Sequence, residues 1–378
     1  MEELRPEDRQ TLERYGFDAA LFQDLRKRWL DGSLSPESGL EKGRIDPPPP
    51  EALIPFPKRD TEEWKRADEK GRGAIARGKL GIVILNGGMA TRFGGVVKGT
   101  VPVTGDISFL ELKIRHTAKV ARECGGKIPI LLMNSWATDE ATLRHLEKKN
   151  WFGLPREDFF IFHQFLHPRL DKNGNLYKDE KGAASFYGPG HGDFASAIRA
   201  RGGLDWLRAR GAEHILVANV DNLGARVEPV VLGIHLNQDV EATVEVAPKW
   251  PGDKGGCPVL VDGKIQIVED FRFPPEFDQD QVEVFNCNTF TFELEALDRE
   301  FPLSWFAVRK RAGKEEVIQF ERLIGQLTAF LKCAYLVVPR TGRDNRFYPV
   351  KTPKDLEEGR EVIRLLYPDL VQEREVPP

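Results

Sequence analysis

Leu80-Gly81-Ile82-Val83-Ile84-Leu85-Asn86-Gly87-Gly88-Met89-Ala90-Thr91-Arg92-Phe93-Gly94-Gly95-Val96-Val97-Lys98-Gly99 is the stretch that decides the fold class. Its first part, Ile82-Val83-Ile84-Leu85, reads as a short buried strand, and it runs straight into a glycine-rich loop that ends near a helix. Strand, then glycine loop, is where open α/β sheets bind their ligands. Glycine lets backbone N–H groups approach phosphate oxygens, and Arg92 and Lys98 supply positive charge. The spacing matches neither a Walker A loop nor a G-x-G-x-x-G dinucleotide fingerprint, and a glycine-rich turn taken alone is also simply a tight turn.

Downstream the alternation continues. Ser108 and Glu111 form a capping box that opens a helix through Lys113, Thr117 and Ala121, stopped at Gly125-Gly126. Then come a strand at 128–133, a helix at about 138–149, a strand at 159–163 and a hairpin signal at Asn173-Gly174. A helix capped by Asp193 and a strand at 214–218 follow. That order predicts an α/β fold with a largely parallel sheet. The later chain is richer in strands: 242–246, then 259–261 and 265–268 joined by Asp262-Gly263, then 284–292. A helix over 315–331, a strand at 334–338 and a closing helix at 354–366 complete the expectation.

Upstream, residues 1–30 carry helical periodicity with Leu12, Tyr15, Phe17, Leu21, Leu25 and Leu30 as packing residues. Residues 31–60 shift to Ser, Gly and Pro, and four prolines at 47–50 hold a stiff tether across the surface. The expected organisation is an arm and tether over 1–60, a catalytic domain over 61–350, and a C-terminal helix and tail over 351–378.

Composition narrows the function classes. Of 378 residues, 40% are hydrophobic and 30% charged, which argues against intrinsic disorder, collagen and a disulfide scaffold. A net charge of −4 gives no basic surplus to point toward nucleic acid, so an anionic substrate needs a local cluster of cations. Cys124, Cys257, Cys287 and Cys333 show no paired metal or dithiol spacing, so free thiols in a reducing compartment are expected. The N-terminus is acidic and polar, and no apolar run approaches the ~18 residues of a membrane span. The expectation is a soluble, cytoplasmic protein with no membrane partner.

Further places along the chain carry chemistry. Gly188-Pro189-Gly190-His191-Gly192-Asp193 keeps the backbone close to something flat or anionic, although a lone His191 is also an ordinary turn histidine. Asp221, in Asn219-Val220-Asp221-Asn222, follows a buried strand and can hold Mg2+ together with substrate phosphates, or be a turn aspartate. Gly256 repeats the glycine theme beside Lys254, and Glu269 ends a strand where sugar hydroxyls could donate to it. Asn286 and Asn288, two apart on a strand, face one side. Lys351 lies between a strand and the last helix, within reach of phosphate or of solvent.

Taken in order, these motifs resemble the eukaryotic-type UTP–glucose-1-phosphate uridylyltransferase family. Residues 85–99 look like its nucleotide loop, Met133-Asn134-Ser135 with Thr138-Asp139-Glu140 its second motif, and Phe162-His163-Gln164 with His167-Pro168-Arg169 its uracil-side segment. Pro189-Gly190-His191-Gly192-Asp193, Asn219-Val220-Asp221-Asn222-Leu223-Gly224-Ala225, Asn286-Cys287-Asn288, Val317-Ile318-Gln319-Phe320-Glu321 and Phe347-Tyr348-Pro349-Val350-Lys351-Thr352 continue it, so the resemblance spans about residues 80–365.

The resemblance implies a nucleotide-diphospho-sugar transferase (Rossmann-like) fold with a mixed, mostly parallel sheet. It implies UTP and glucose 1-phosphate as partners, UDP-glucose and pyrophosphate as products, and Mg2+ as cofactor. Leu85, Asn86, Gly87, Gly88, Met133, Gln164, Gly190, His191 and Asn219 would then bind the nucleotide, and Gly256, Glu269, Asn286 and Asn288 the sugar. Asp221 would hold the metal, and Lys98 and Lys351, with Arg92 as a further cation, the phosphates. A sugar phosphate is already ionised, so in-line attack needs positioning and charge neutralisation rather than a general base.

Three departures stand out. Ala90 replaces a usual glycine, the usual Pro-Lys appears as Val97-Lys98 one residue early, and a helix and tail follow Lys351 where larger relatives continue into an oligomer-building β-helix. A monomer or weak dimer is therefore expected. Thr289, where glucose enzymes tend to show asparagine, leaves a UDP-sugar or UDP-N-acetylhexosamine pyrophosphorylase as the alternative, and the altered loop leaves a catalytically silent nucleotide-sugar sensor.

Overall fold

The apolar runs assemble into one eight-stranded sheet in the computed structural model, which describes residues 4–179 and 182–372. In chain order its strands are β1 (Leu53–Pro55), β2 (Leu80–Asn86), β3 (Ile130–Asn134), β4 (Phe159–His163), β5 (His214–Asn219), β6 (Ala242–Pro248), β7 (Val284–Glu293) and β8 (Cys333–Val337). Their spatial order is β1-β8-β6-β7-β5-β2-β3-β4. Only β7 runs antiparallel to its neighbours, so the sheet is mixed and mostly parallel.

β2 and β3 are buried at every position, as parallel strands covered on both faces must be. Alternate residues of β2 feed two cores. Val83 and Leu85 pack with Phe194 and Ile198 of α6 (Phe194–Ala200), whereas Ile82 and Ile84 pack with Leu110 and Ile114 of α4 (Phe109–Glu123). The Ser108 hydroxyl accepts from the Glu111 amide and Thr61 caps α3 (Glu62–Ala76) in the same way, so both helices start where their capping residues stand. At the other end of the chain, α1 (Pro6–Arg14) and α2 (Ala19–Leu30) form the expected arm, which packs on the end of β4 through Tyr15 against His163 and on the segment after it through Phe17 and Phe22 against His167.

Three expectations need correction. Residues 306–312 and 315–321 form an antiparallel hairpin around Gly313, not a helix over 315–331; a short 3-10 turn at Ile324–Ala329 is the only helical part. Val317 and Phe320 bury β-forming side chains, and that packing outweighs the helix preference of the flanking Glu and Lys. The tether does more than cross the surface: Leu53–Pro55 pairs with β8 at the sheet edge and Ile45–Asp46 pairs with the strand Cys257–Val261. The closing helix is split into Pro353–Glu358 and Arg360–Leu366, followed by a turn of helix at Pro368–Gln372. Residues 373–378, the end of the expected tail, lie outside the described residues.

The four cysteines are free thiols, and among the described residues no helix is long and apolar enough to cross a membrane.

Candidate active site

β2 leads outward through β3 to β4, while β5 returns to the other side of β2. This reversal is a topological switch point, and the carboxyl ends of its strands frame a crevice. Leu85 stands in register with Asn219 on one side and Met133 on the other. A cleft of about 560 Å³ opens there, and it brings together Leu85, Gly87, Gly88, Arg92, Lys98, Met133, Gln164, Gly190, His191, Asn219, Asp221 and Lys351. A cavity of similar size, about 570 Å³, opens near the opposite strand ends between Gly78, Ile128, Pro129 and Leu154, but it gathers none of these groups.

The loop after β2 folds as a small ribbon in which Met89-Ala90 pairs with Val96-Val97. Gly94 and Gly95 make its turn at φ 84° and 78°, which glycine adopts without penalty. Ala90, the departure from the family pattern, sits at φ −81° and is therefore unstrained. The ribbon delivers Lys98, whose buried Nζ lies 4.0 Å from the Phe93 ring centroid and 5.0 Å from that of Phe109. Burial lowers its pKa, while the charges of Asp221 and Asp355 pull the other way.

Gln164 is wedged across the cleft. A Cβ on Gly87 or on Gly188 would come within 2.7 or 2.6 Å of Gln164 Oε1, so both flanking glycines make room for the carboxamide. Its Nε2 donates to the Gly190 carbonyl at 2.9 Å, which fixes which end is the amide and leaves Oε1, between Gly87 and Gly188, as an acceptor. His191 is fixed in the same manner. Its Nδ1 accepts from the Ile324 amide at 3.0 Å, and burial pushes its pKa down to about 4. The imidazole is then neutral at pH 7 and carries its proton on Nε2, free to donate.

Asp221 and Lys351 are joined by a backbone clamp. The Val350 amide donates to the Asp221 carbonyl, the Leu223 amide to the Tyr348 carbonyl, and the Asn222 side chain bonds the backbone of Gly224, Tyr348 and Arg346. Under the clamp Arg346 makes a two-point ion pair with Glu245, both 1% exposed. Lys113, fully buried on α4, donates to the Ala225 carbonyl at 2.6 Å, and burial depresses its pKa to about 7. Burial raises the Asp221 pKa, opposed by the charges of Lys98, Lys113 and Lys351. One carboxylate therefore faces the cleft within a ring of cations.

Other expected residues stand elsewhere. Asn86 lies beneath the cleft floor rather than on its wall, with Nδ2 donating to Asn134 Oδ1 and Thr142 Oγ1. It ties the loop to β3 and α5 (Asp139–Lys148). Asp193 stands at the N-cap position of α6, but its side chain caps nothing: the buried carboxylate binds Arg322 and accepts from the Phe165 amide. Gly256, Glu269, Asn286 and Asn288 are not on the wall of this cleft but lie near one another, tied to it through Asn219. Asn288 Nδ2 donates to Asn219 Oδ1 at 3.1 Å, the Asn286 amide donates to the Gly256 carbonyl, and a Cβ on Gly256 would lie 2.9 Å from Glu269 Oε2. Simple alternation does not place the two asparagines, because the strand is bulged here: Glu245 pairs with Thr289 and Val246 with Asn286, and Asn288 takes φ 53°. Burial raises the Glu269 pKa to about 7.

Lys113, Glu245, Arg322 and Arg346 escaped the reading of the sequence as site residues. Lys113 alone left a local trace, a charge set between the apolar Leu112 and Ile114.

A mostly parallel sheet whose switch-point cleft gathers a fixed carboxamide, a carboxylate and lysines has the architecture of the nucleotide-diphospho-sugar transferase fold. The chain belongs to the UTP–glucose-1-phosphate uridylyltransferase family, whose sequence profile matches residues 19–363. It is 32% identical over 298 residues to a probable UTP–glucose-1-phosphate uridylyltransferase of Schizosaccharomyces pombe, covering 74% of this chain and 58% of that one. It is 30% identical over 356 residues to the Musa acuminata UTP–glucose-1-phosphate uridylyltransferase, covering 89% and 72%. Among solved structures, a UDP-glucose phosphorylase of Trypanosoma brucei matches with a TM-score of 0.69 at 25% identity over 89% of this chain and 73% of that one. A UDP-N-acetylglucosamine pyrophosphorylase of the same organism matches in fold with a TM-score of 0.77 at 23% identity, over 94% and 79%.

Proposed function

We propose that the protein transfers the uridylyl group of UTP to glucose 1-phosphate, releasing pyrophosphate. The observation that carries this reading is the fixed Gln164 carboxamide in the same cleft as Lys98, Asp221 and Lys351. Gln164 Oε1 accepts from the ring imide of uracil, a donor that cytosine lacks. Lys98 and the His191 Nε2–H contact the triphosphate from the loop and turn sides, and Lys351 contacts phosphate from across the cleft. The sugar lies toward Asn288, Asn286 and Glu269. An ionised oxygen of glucose 1-phosphate attacks the α-phosphorus, its bond to phosphorus forms as the α–β bridging P–O bond breaks, and pyrophosphate leaves with the electron pair. No proton moves, which accords with a cleft built of cations and neutral donors.

The donor set suits Mg2+, which takes one or two carboxylates together with phosphate oxygens and water, and a single recessed carboxylate, Asp221, faces the cleft. When bound there, Mg2+ supplies charge neutralisation at the phosphates. Four free thiols accord with a reducing, cytoplasmic location. The test is a matrix of pyrophosphate release, four nucleotides against several sugar 1-phosphates, with and without Mg2+. UTP with glucose 1-phosphate and Mg2+ should dominate. A dominant N-acetylhexosamine 1-phosphate would move the sugar assignment, and no turnover with any pair would make the protein a sensor.

A further inference from the structure

The far end of β5, about 16 Å from Asn219 along a six-residue strand, carries a second cluster of polar side chains. His214 opens β5, Glu293 closes β7 directly opposite it, and His235 comes from the last turn of α7 (Pro229–Leu236). The nearest ligand atoms of the three all lie within 4.8 Å of one another. His235 Nε2 and His214 Nδ1 stand 3.1 and 3.2 Å from the same oxygen, Glu293 Oε1.

Burial makes this arrangement demanding. The His235 side chain is fully buried and that of His214 is 8% exposed, while Glu293 reaches solvent. His214 Nδ1 is buried, and its contact with the carboxylate falls outside good hydrogen-bond geometry. A buried ring nitrogen held only by a misaligned charge contact is incompletely compensated, and an ion between the two groups would complete it. On the other side of His235, Nδ1 lies 2.8 Å from Thr243 Oγ1, a contact that can hold the ring with Nε2 turned to Glu293.

We infer that His214, His235 and Glu293 form a binding site for a borderline divalent cation, Zn2+ being the best fit. Imidazole nitrogens select zinc, copper or nickel over magnesium and calcium, and two imidazoles with one carboxylate are a known zinc donor set. A tetrahedral ion with bonds of about 2.0–2.1 Å needs its ligand atoms about 3.3 Å apart. Both imidazole-to-carboxylate distances already meet that, so only the two imidazoles need draw closer. The solvent-facing side of Glu293 leaves the fourth position to water. Because the cluster sits at the opposite strand ends from the nucleotide cleft, the ion would clip α7 to the middle of the sheet rather than take part in transfer.

The test uses the full chain, stripped with a chelator and desalted, then titrated with Zn2+ by calorimetry in excess Mg2+, with Co2+ absorption as a second readout. Wild type should bind one Zn2+ per chain, melt at a higher temperature with it, and give Co2+ the intense visible bands of low-coordinate nitrogen ligation. Glu293→Gln and His235→Asn should each weaken binding by at least about tenfold and leave uridylyl transfer within twofold. Should His235→Asn fail to fold, the partly exposed Glu293→Gln decides alone. Absence of stoichiometric binding, or an unchanged titration in Glu293→Gln, overturns the site. So does loss of zinc affinity in Asp221→Asn, which would place the ion in the nucleotide cleft.

Discussion

Lys98→Met isolates one charge in the cleft. Methionine keeps an apolar stem against Phe93 and Phe109, whose ring centroids lie 4.0 and 5.0 Å from the lysine nitrogen, so the loop should hold its shape. What disappears is a buried ammonium beside Asp221, aimed where charge builds on the phosphates as the α-phosphorus becomes five-coordinate. A preorganised contact of that kind contributes ~3 kcal/mol, so kcat should fall by about 150-fold. KM for UTP should rise less, because the ground-state triphosphate meets other donors as well. Burial lowers the Lys98 pKa, against the pull of Asp221 and Asp355, so the wild-type rate should fall off at lower pH than an exposed lysine would allow. That alkaline limb should be missing from the variant. Steady-state pyrophosphate release from pH 6 to pH 10, with circular dichroism to confirm folding, measures both effects. If Lys98→Met keeps kcat within threefold of wild type while Lys351→Met is inactive, the reasoning fails, and Arg92 becomes the cation that serves the loop.

Gln164→Ala should raise KM for UTP about tenfold, the worth of one well-placed hydrogen bond, and narrow the preference for UTP over CTP; equal use of both bases by the unmutated protein would refute the base-reading role. Asp221→Asn should lose more than about a hundredfold in rate yet melt no lower than wild type, since an amide escapes the burial that raises the carboxyl pKa; ordinary Mg2+ dependence in that variant would make Asp221 a turn residue only. Glu269 has its folded pKa raised from 4.5 to about 7, so the stability it adds is complete below pH 4.5 and lost as pH rises through 7. Glu269→Gln should flatten that loss in urea titrations at stepped pH, and parallel wild-type and variant profiles would contradict it. Light scattering should find a monomer or weak dimer, because Ile363, Leu366, Tyr367 and Leu370 bury their side chains against the chain's own core; a stable octamer would overturn this.

What the sequence by itself determined is local. β2 and β3 are legible because strands covered on both faces are unbroken apolar runs, and α3 and α4 begin at Thr61 and Ser108 because a capping hydroxyl acts on an amide three residues away. The glycine loop, the Gly188–Asp193 turn and Asp221 at a strand end could be read for the same reason, each being a few contiguous residues with one conformational purpose. Tertiary structure alone decided the rest. Asp193 looks like a cap until Arg322, 129 residues on, claims its carboxylate. Residues 315–321 look helical until they pair with 306–312, and Leu53–Pro55 looks like tether until β8 offers it an edge. The bulge that turns Asn288 toward Asn219, and the Arg346–Glu245 pair beneath the Asp221–Lys351 clamp, join residues 69 and 101 apart in the chain. Local preferences differ by tenths of a kcal/mol to about one per residue, whereas burying an apolar face or pairing a buried charge is worth several, so where the two disagree the distant partner prevails.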